Sequence, residues 1–282
     1  MSTVRSLVRR SPLVSFFLLT FALCWGLGAV LNGTAVLAPN ANFISGVLIA
    51  ALTVIVLTDG RAGLNDLGRR LLRWRVPPVW YAVVFVLPVL IVGATLALLS
   101  LFGGTPLDWT KQPSLASTAI FFALFMFLPI GAPVAEEIGW RGFALPRLLA
   151  SRSALTSSLI LGVIWALWHL PVVLSTPELR VPVPFMLAVV PLSILTTWIF
   201  VHTRSSVFIA ILFHAWFDVV LLFGFEMVAK TDAALTWWLL AAVQTALAVI
   251  VVAVFGANLA RQPSPPVEAR AAAVAPPVNA RR

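Results

Sequence analysis

The sequence predicts an all-α integral membrane protein, a polytopic bundle of about eight transmembrane helices. Hydrophobic residues make up 61% of the 282 and charged residues only 10%, against roughly 25% charged in an ordinary soluble domain. Mean hydropathy is +1.02. The apolar residues gather in runs of about 20, the length a helix needs to cross the hydrocarbon core. They do not form the short alternating segments of an outer-membrane barrel.

Taken in order, a basic N-terminus (1–11) leads into a transmembrane domain (12–257) and a tail (258–282). The eight apolar runs are 12–31, 40–57, 79–102, 121–145, 158–174, 183–201, 205–225 and 234–257. A secretory signal is the competing reading of the first run, but no small-x-small site closes it before further runs follow. Between runs two and three, residues 60–75 alternate arginines with Leu and Trp, the pattern of an amphipathic helix lying in the membrane interface. The tail is rich in Ala and Pro with no apolar period and reads as disordered. Cys24 is the only cysteine and reads as a small packing residue.

Basic residues orient the chain. With the N-terminus inside, inner segments hold 15 Lys or Arg and outer loops three (Lys111, Arg180, Lys230), with Arg141 in a span. The positive-inside rule then places both termini in the cytoplasm of a cell (inner) membrane. The net charge of +9 is spread over loops and tails; it fits anionic lipids of the inner leaflet as partners and gives no nucleic-acid surface.

Ionisable residues inside apolar runs need a reason, because each costs a few kcal/mol near the bilayer centre and therefore faces a wet or protein-lined interior. The fourth run carries Glu136, Glu137 and Arg141, the fifth His169, and the seventh His214 and Asp218. Glu137 and Arg141 are four apart with the acid first, the favoured order for an ion pair on one helix face. Glu136 is turned about 100° away, so the two acids can take different tasks. His214 and Asp218 share a face in the same way. At about 1.5 Å per residue, Glu136 and His214 lie roughly 13 Å, and His169 roughly 16 Å, from the inner ends of their runs, one shared layer; starting the fifth run at Ala154 would move His169 about 6 Å outward. Each feature also has a structural reading: a packing ion pair, a histidine bonded to a carbonyl, an interhelical polar clasp. His202, at the inner end of the sixth run, reads as a surface residue.

Glu136-Glu137-x-x-x-Arg141 continuing as Gly142-Phe143-Ala144-Leu145, then Trp165-x-x-x-His169, then His214-x-x-x-Asp218, resembles the three ordered motifs of the CPBP (Abi) intramembrane proteases. The Gly-Leu-x-x-Leu-Gly-Arg-Arg segment before the third run is similar to bacterial members, and the family-like core extends over about 60–225. Two positions depart from the family pattern: Trp165 stands where Phe is usual, and Asp218 where Asn is common. The first is conservative in size. The second matters more, since an ionised Asp cannot donate to an oxyanion; it would be protonated, orient His214 or ligate a metal.

The resemblance implies an endopeptidase that cleaves a membrane-associated protein or peptide with a glutamate-activated water. It implies Glu136 as general base, His169 holding the water, His214 with residue 218 at the oxyanion, and Glu137 and Arg141 bracing the geometry. Either no cofactor is needed, or a divalent metal such as zinc is held by Glu136, His169, His214 and Asp218, residue types zinc accepts; no His-Glu-x-x-His run is present. Two other functions stay open: a proton-coupled transporter, since the same residue types build proton relays, and a non-catalytic immunity or scaffold protein.

Overall fold

The computed structural model describes residues 2–27, 41–127, 132–175 and 182–260. The regular elements among them are helical. They are α1 (Ser2–Arg10), α2 (Pro12–Phe21, extended by a π-helical stretch Ala22–Leu27), α3 (Ala41–Thr58), α4 (Gly60–Leu71), α5 (Pro78–Leu101) and α6 (Leu115–Phe127). Next come α7 (Ala132–Glu137), a π-helical stretch Ile138–Ala144, α8 (Leu145–Leu149), α9 (Ala154–Trp168) and α10 (Leu170–Ser175). The chain closes with α11 (Pro182–His202), α12 (Val207–Glu226) and α13 (Ala233–Phe255).

Among the described residues, four helical segments are long and apolar enough to cross a membrane, Pro78–Leu101, Pro182–His202, Val207–Glu226 and Lys230–Phe255. Shorter apolar segments run over Pro12–Gly26, Gly46–Thr58, Leu115–Phe127 and Ala154–Trp168. The fold is thus the expected all-α polytopic bundle. The fourth run, 121–145, is not one uninterrupted α-helix: α7 passes at Ile138 into a π-helical stretch that reaches Ala144. The tail expected to be disordered lies outside the described residues except for 258–260, where Leu259 is buried against Ala154, Ile194 and Ala248.

Helices α9, α11, α13, α5 and α12 pack in that succession, and α12 returns to α11, so the C-terminal half closes around an interior. Membrane helices gain little from hiding apolar surface in apolar lipid, so close approach through small residues holds them together. On α9, Ser158, Gly162 and Ala166 form a buried small-residue stripe. A Cβ on Gly162 would lie 3.1 Å from Val190 Cα of α11, and Ser193 Oγ donates across the seam to Ser158 O at 3.0 Å. Ser153 and Ser206 cap α9 and α12 by accepting from the amides of Thr156 and Ile209.

The N-terminal helices cover the other side of the α7–α8 segment. Helix α3 packs on α2, on α7 and on the π stretch. Glycine permits this approach: a Cβ on Gly139 would collide with Val47 Cγ1 of α3 and stand 3.2 Å from Phe16 Cζ of α2, and one on Gly142 would stand 2.8 Å from Leu67 Cδ1 of α4. Gly139→Ala is therefore expected to destabilise the fold by about 1–3 kcal/mol through overpacking. The unfolding midpoint in detergent checks this, and an unchanged midpoint would show that α3 can shift freely. Helix α4 forms where the amphipathic pattern places it. Asp66 pairs with Arg69 and Arg70 at 3.2 and 2.7 Å, and burial draws the Arg70 guanidinium below its ordinary pKa while Asp66 opposes. At the opposite end of α5, Asp108 accepts from the Thr110 hydroxyl and amide, which hold its carboxyl below the usual range.

Candidate active site

Glu136 and Glu137 close α7, Arg141 sits in the π stretch, His169 is the residue at which α9 ends, and His214 and Asp218 lie one turn apart on α12. A π stretch places residues off the ordinary helical face, and such stretches often occur at functional positions. Here it begins directly after Glu137.

The two adjacent carboxylates have different partners. Glu137 Oε1 accepts from Arg141 Nη1 at 2.8 Å and from His214 Nδ1 at 2.9 Å, so one oxygen ties the π stretch to α12. Glu136 Oε2 instead accepts from Trp165 Nε1 at 2.6 Å. Glu137 and Arg141 are fully buried, and Glu136 retains 2% exposure. The division anticipated from the 100° turn is present, with His214 added to the Glu137 side.

The histidine tautomers follow from their partners. His169 Nδ1 faces the Trp165 carbonyl at 2.9 Å; a carbonyl only accepts, so the proton sits on Nδ1 and Nε2 of the neutral ring is an acceptor. His214 Nδ1 donates to a carboxylate in the same way, and its Nε2 stands 3.6 Å from Asp218 Oδ2.

Trp165 is the hub. Its ring lies 5.3 Å from that of His214 and 5.8 Å from that of His169, and the Arg141 guanidinium sits 4.7 Å from its centroid. Its carbonyl fixes His169 and its indole fixes Glu136. Size and apolarity alone, the grounds for treating Trp as a conservative exchange for Phe, missed the N–H that Phe lacks.

A hollow of about 80 Å³ opens among α9, α11, α12 and α13, walled by Trp165, His169, His214 and Asp218 on one side and by Phe185, Trp237 and Gln244 on the other. His169 reaches it although α9 begins at Ala154, because α9 ends at Trp168 and the ring turns inward between Trp168 and Phe185. Gln244 is 1% exposed, and its Oε1 has no hydrogen-bond partner among the described residues. It escaped notice in the sequence, although it is the only amide in the apolar helix α13.

Among the described residues, no three His, Cys, Asp or Glu side chains converge as metal donors. His202 is not a plain surface residue: it is half-buried, with its ring 4.8 Å from Trp80 and 5.1 Å from Phe255.

Fold and site together define a polytopic membrane helix bundle that buries two adjacent carboxylates and an arginine, with two histidines and Asp218 in the wall of a small interior hollow. Comparison with known proteins narrows the class. Residues 116–220, which include all six residues of the three motifs, match the family model described as type II CAAX prenyl endopeptidase Rce1-like. A CAAX prenyl protease 2 of Methanococcus maripaludis is 28% identical over 141 residues, 47% of this chain and 52% of that protein. The chain thus spans about half the length of the curated relative it matches. Both matches bear out the resemblance to the CPBP family carried by the three motifs.

Proposed function

We propose that this protein is an intramembrane endopeptidase, hydrolysing a peptide bond of a membrane-associated protein or peptide with a water activated by Glu136. The observation that carries this reading is the division between adjacent carboxylates. Glu137 is committed to Arg141 and His214, whereas Glu136 accepts one indole N–H from a wall of the hollow that His169, His214 and Asp218 share.

In this reaction Glu136 takes a proton from water as the water oxygen adds to the scissile carbonyl carbon. The C–N bond then breaks, and the proton passes to the departing amine nitrogen. His169 Nε2, an acceptor, holds the water through its second hydrogen. His214 donates to the oxyanion when it carries protons on both nitrogens, with Glu137 and Asp218 balancing its charge. Preorganised donors aimed at developing charge supply the largest share of such catalysis. The site works with its own side chains: activity of the purified protein is expected to survive strong chelators, and loss that zinc restores would overturn this. The arginine distribution supports both termini lying in the cytoplasm of the cell membrane.

Trp165 and Asp218 test the geometry. Trp165→Phe keeps the ring and deletes the donor; a hydrogen bond to a charged group contributes about 1.5–3 kcal/mol, so kcat on a membrane-anchored peptide is expected to fall at least about tenfold with KM little changed. An unchanged kcat would show that the ring alone matters. Asp218→Asn is expected to retain activity within about tenfold, because Asn can itself donate to the oxyanion. Complete loss in a folded variant would show that the carboxylate is required.

A further inference from the structure

A second site, lined by none of the motif residues, lies where α5 begins and α11 and α13 end. The loop 72–77 and the turn 203–206 are stitched together there. Arg73 donates to the Arg204 carbonyl, Arg204 Nη2 to the Arg75 carbonyl at 2.7 Å, Ser206 Oγ to the Arg73 carbonyl at 2.6 Å and Tyr81 to the Trp74 carbonyl at 2.5 Å. Arg204 and Ser205 adopt φ of +56° and +61°, a left-handed geometry that costs non-glycine residues and persists where surroundings enforce it.

The stitched loops wall a hollow of about 780 Å³ with Trp74, Arg75, Tyr81, His202 and Arg204. Arg75 and Arg204 are exposed, and among the described residues neither has a carboxylate within ion-pair distance. His202 is also a wall of a second hollow, of about 460 Å³, formed by Val79, Trp80, Val83, Trp198 and Phe255. Its rings form one cluster: Trp80 to Trp198 at 5.0 Å, Trp80 to His202 at 4.8 Å and His202 to Phe255 at 5.1 Å. A cationic hollow thus adjoins an aromatic one at the ends of three apolar helices, the level at which headgroups meet acyl chains.

We propose that these hollows form a binding site for one anionic phospholipid, its phosphodiester against Arg75 and Arg204 and an acyl chain along Trp80, Val83, Trp198 and Phe255. Charge complementarity selects the occupant. Among the described residues the two arginines lack acidic partners, forked guanidinium donors match phosphate geometry, and a purely apolar ligand would leave their charge unbalanced. The site stands whether or not the protein cleaves peptides.

The test measures binding of phosphatidylglycerol and phosphatidylcholine to the purified full chain by native mass spectrometry from detergent, with inorganic phosphate as a competitor. Each basic residue near a membrane surface favours anionic lipid several-fold, so a preference of about tenfold or more for phosphatidylglycerol is expected, falling to about a few-fold in Arg204→Gln, which removes one charge, and to near parity in Arg75→Glu, which removes one and adds an opposing one. Arg152→Glu, an exposed arginine outside the site, retains the preference. Val83→Trp, which fills the apolar hollow, weakens phosphatidylglycerol binding, and inorganic phosphate does not displace the lipid. Equal binding of both lipids, equal loss in Arg152→Glu, or full displacement by phosphate would overturn the proposal. So would a large gain in binding on truncation after Ala260, which would make residues 261–282 the occupant.

Discussion

Glu136→Gln is expected to abolish cleavage of a membrane-anchored peptide while the helices stay folded. The amide preserves the shape of the carboxylate and can still accept the Trp165 N–H through its oxygen, so packing around α7 is retained. What it loses is the capacity to take a proton from water. General-base catalysis contributes a factor of about 100 to 10,000, and turnover should fall by at least that much. Comparing membrane peptides in cells making the wild type or the variant reads the result and reveals the substrate together. Full proteolysis by a folded variant would remove Glu136 from the role of base, and with it the mechanism. A transporter would show unchanged peptides in both cells.

Arg141→Leu is expected to destabilise the protein by about 3–5 kcal/mol, the usual consequence of removing one partner from a buried ion pair. Glu137 and Arg141 have no exposure at all. Among the described residues, Glu137 Oε2 and Arg141 Nε and Nη2 already lack hydrogen-bond partners, so little reserve exists to absorb a further loss. Removing the guanidinium leaves the Glu137 carboxylate with only His214 and strips the cation from the face of Trp165. The midpoint of denaturant unfolding in detergent measures the effect. Arg141→Lys should recover part of it, because an ammonium restores the charge without the planar fork. A loss below about 1 kcal/mol in Arg141→Leu would mean that the pair is not structurally important.

Much of the site was legible because charge is scarce in this chain. Six ionisable side chains inside apolar runs stand out, since each is costly in hydrocarbon unless it has a partner or a cavity. Spacing also placed partners correctly within a helix: Glu137 and Arg141, four apart, do pair. Contacts between helices were hidden. The link from Glu137 to His214 spans 77 residues, and that from Trp165 to Glu136 spans 29. Gln244 escaped for the same reason, lying on a helix that carries no motif.

What the sequence determined by itself is class and composition: an all-α membrane bundle, carboxylates and imidazoles set inside apolar runs, and a family resemblance in the segment that holds them. Hydropathy and residue type are local properties, so they survive reading along the chain. Only the tertiary structure decided which carboxylate is committed to Arg141 and His214 and which meets the Trp165 indole. It also decided that the fourth apolar run turns π-helical after Glu137 and that His202 stands in an aromatic cluster rather than on the surface. Those outcomes depend on how helices distant in sequence approach and rotate against one another. Small residues such as Gly139 and Gly162 govern that approach through the space they leave unfilled.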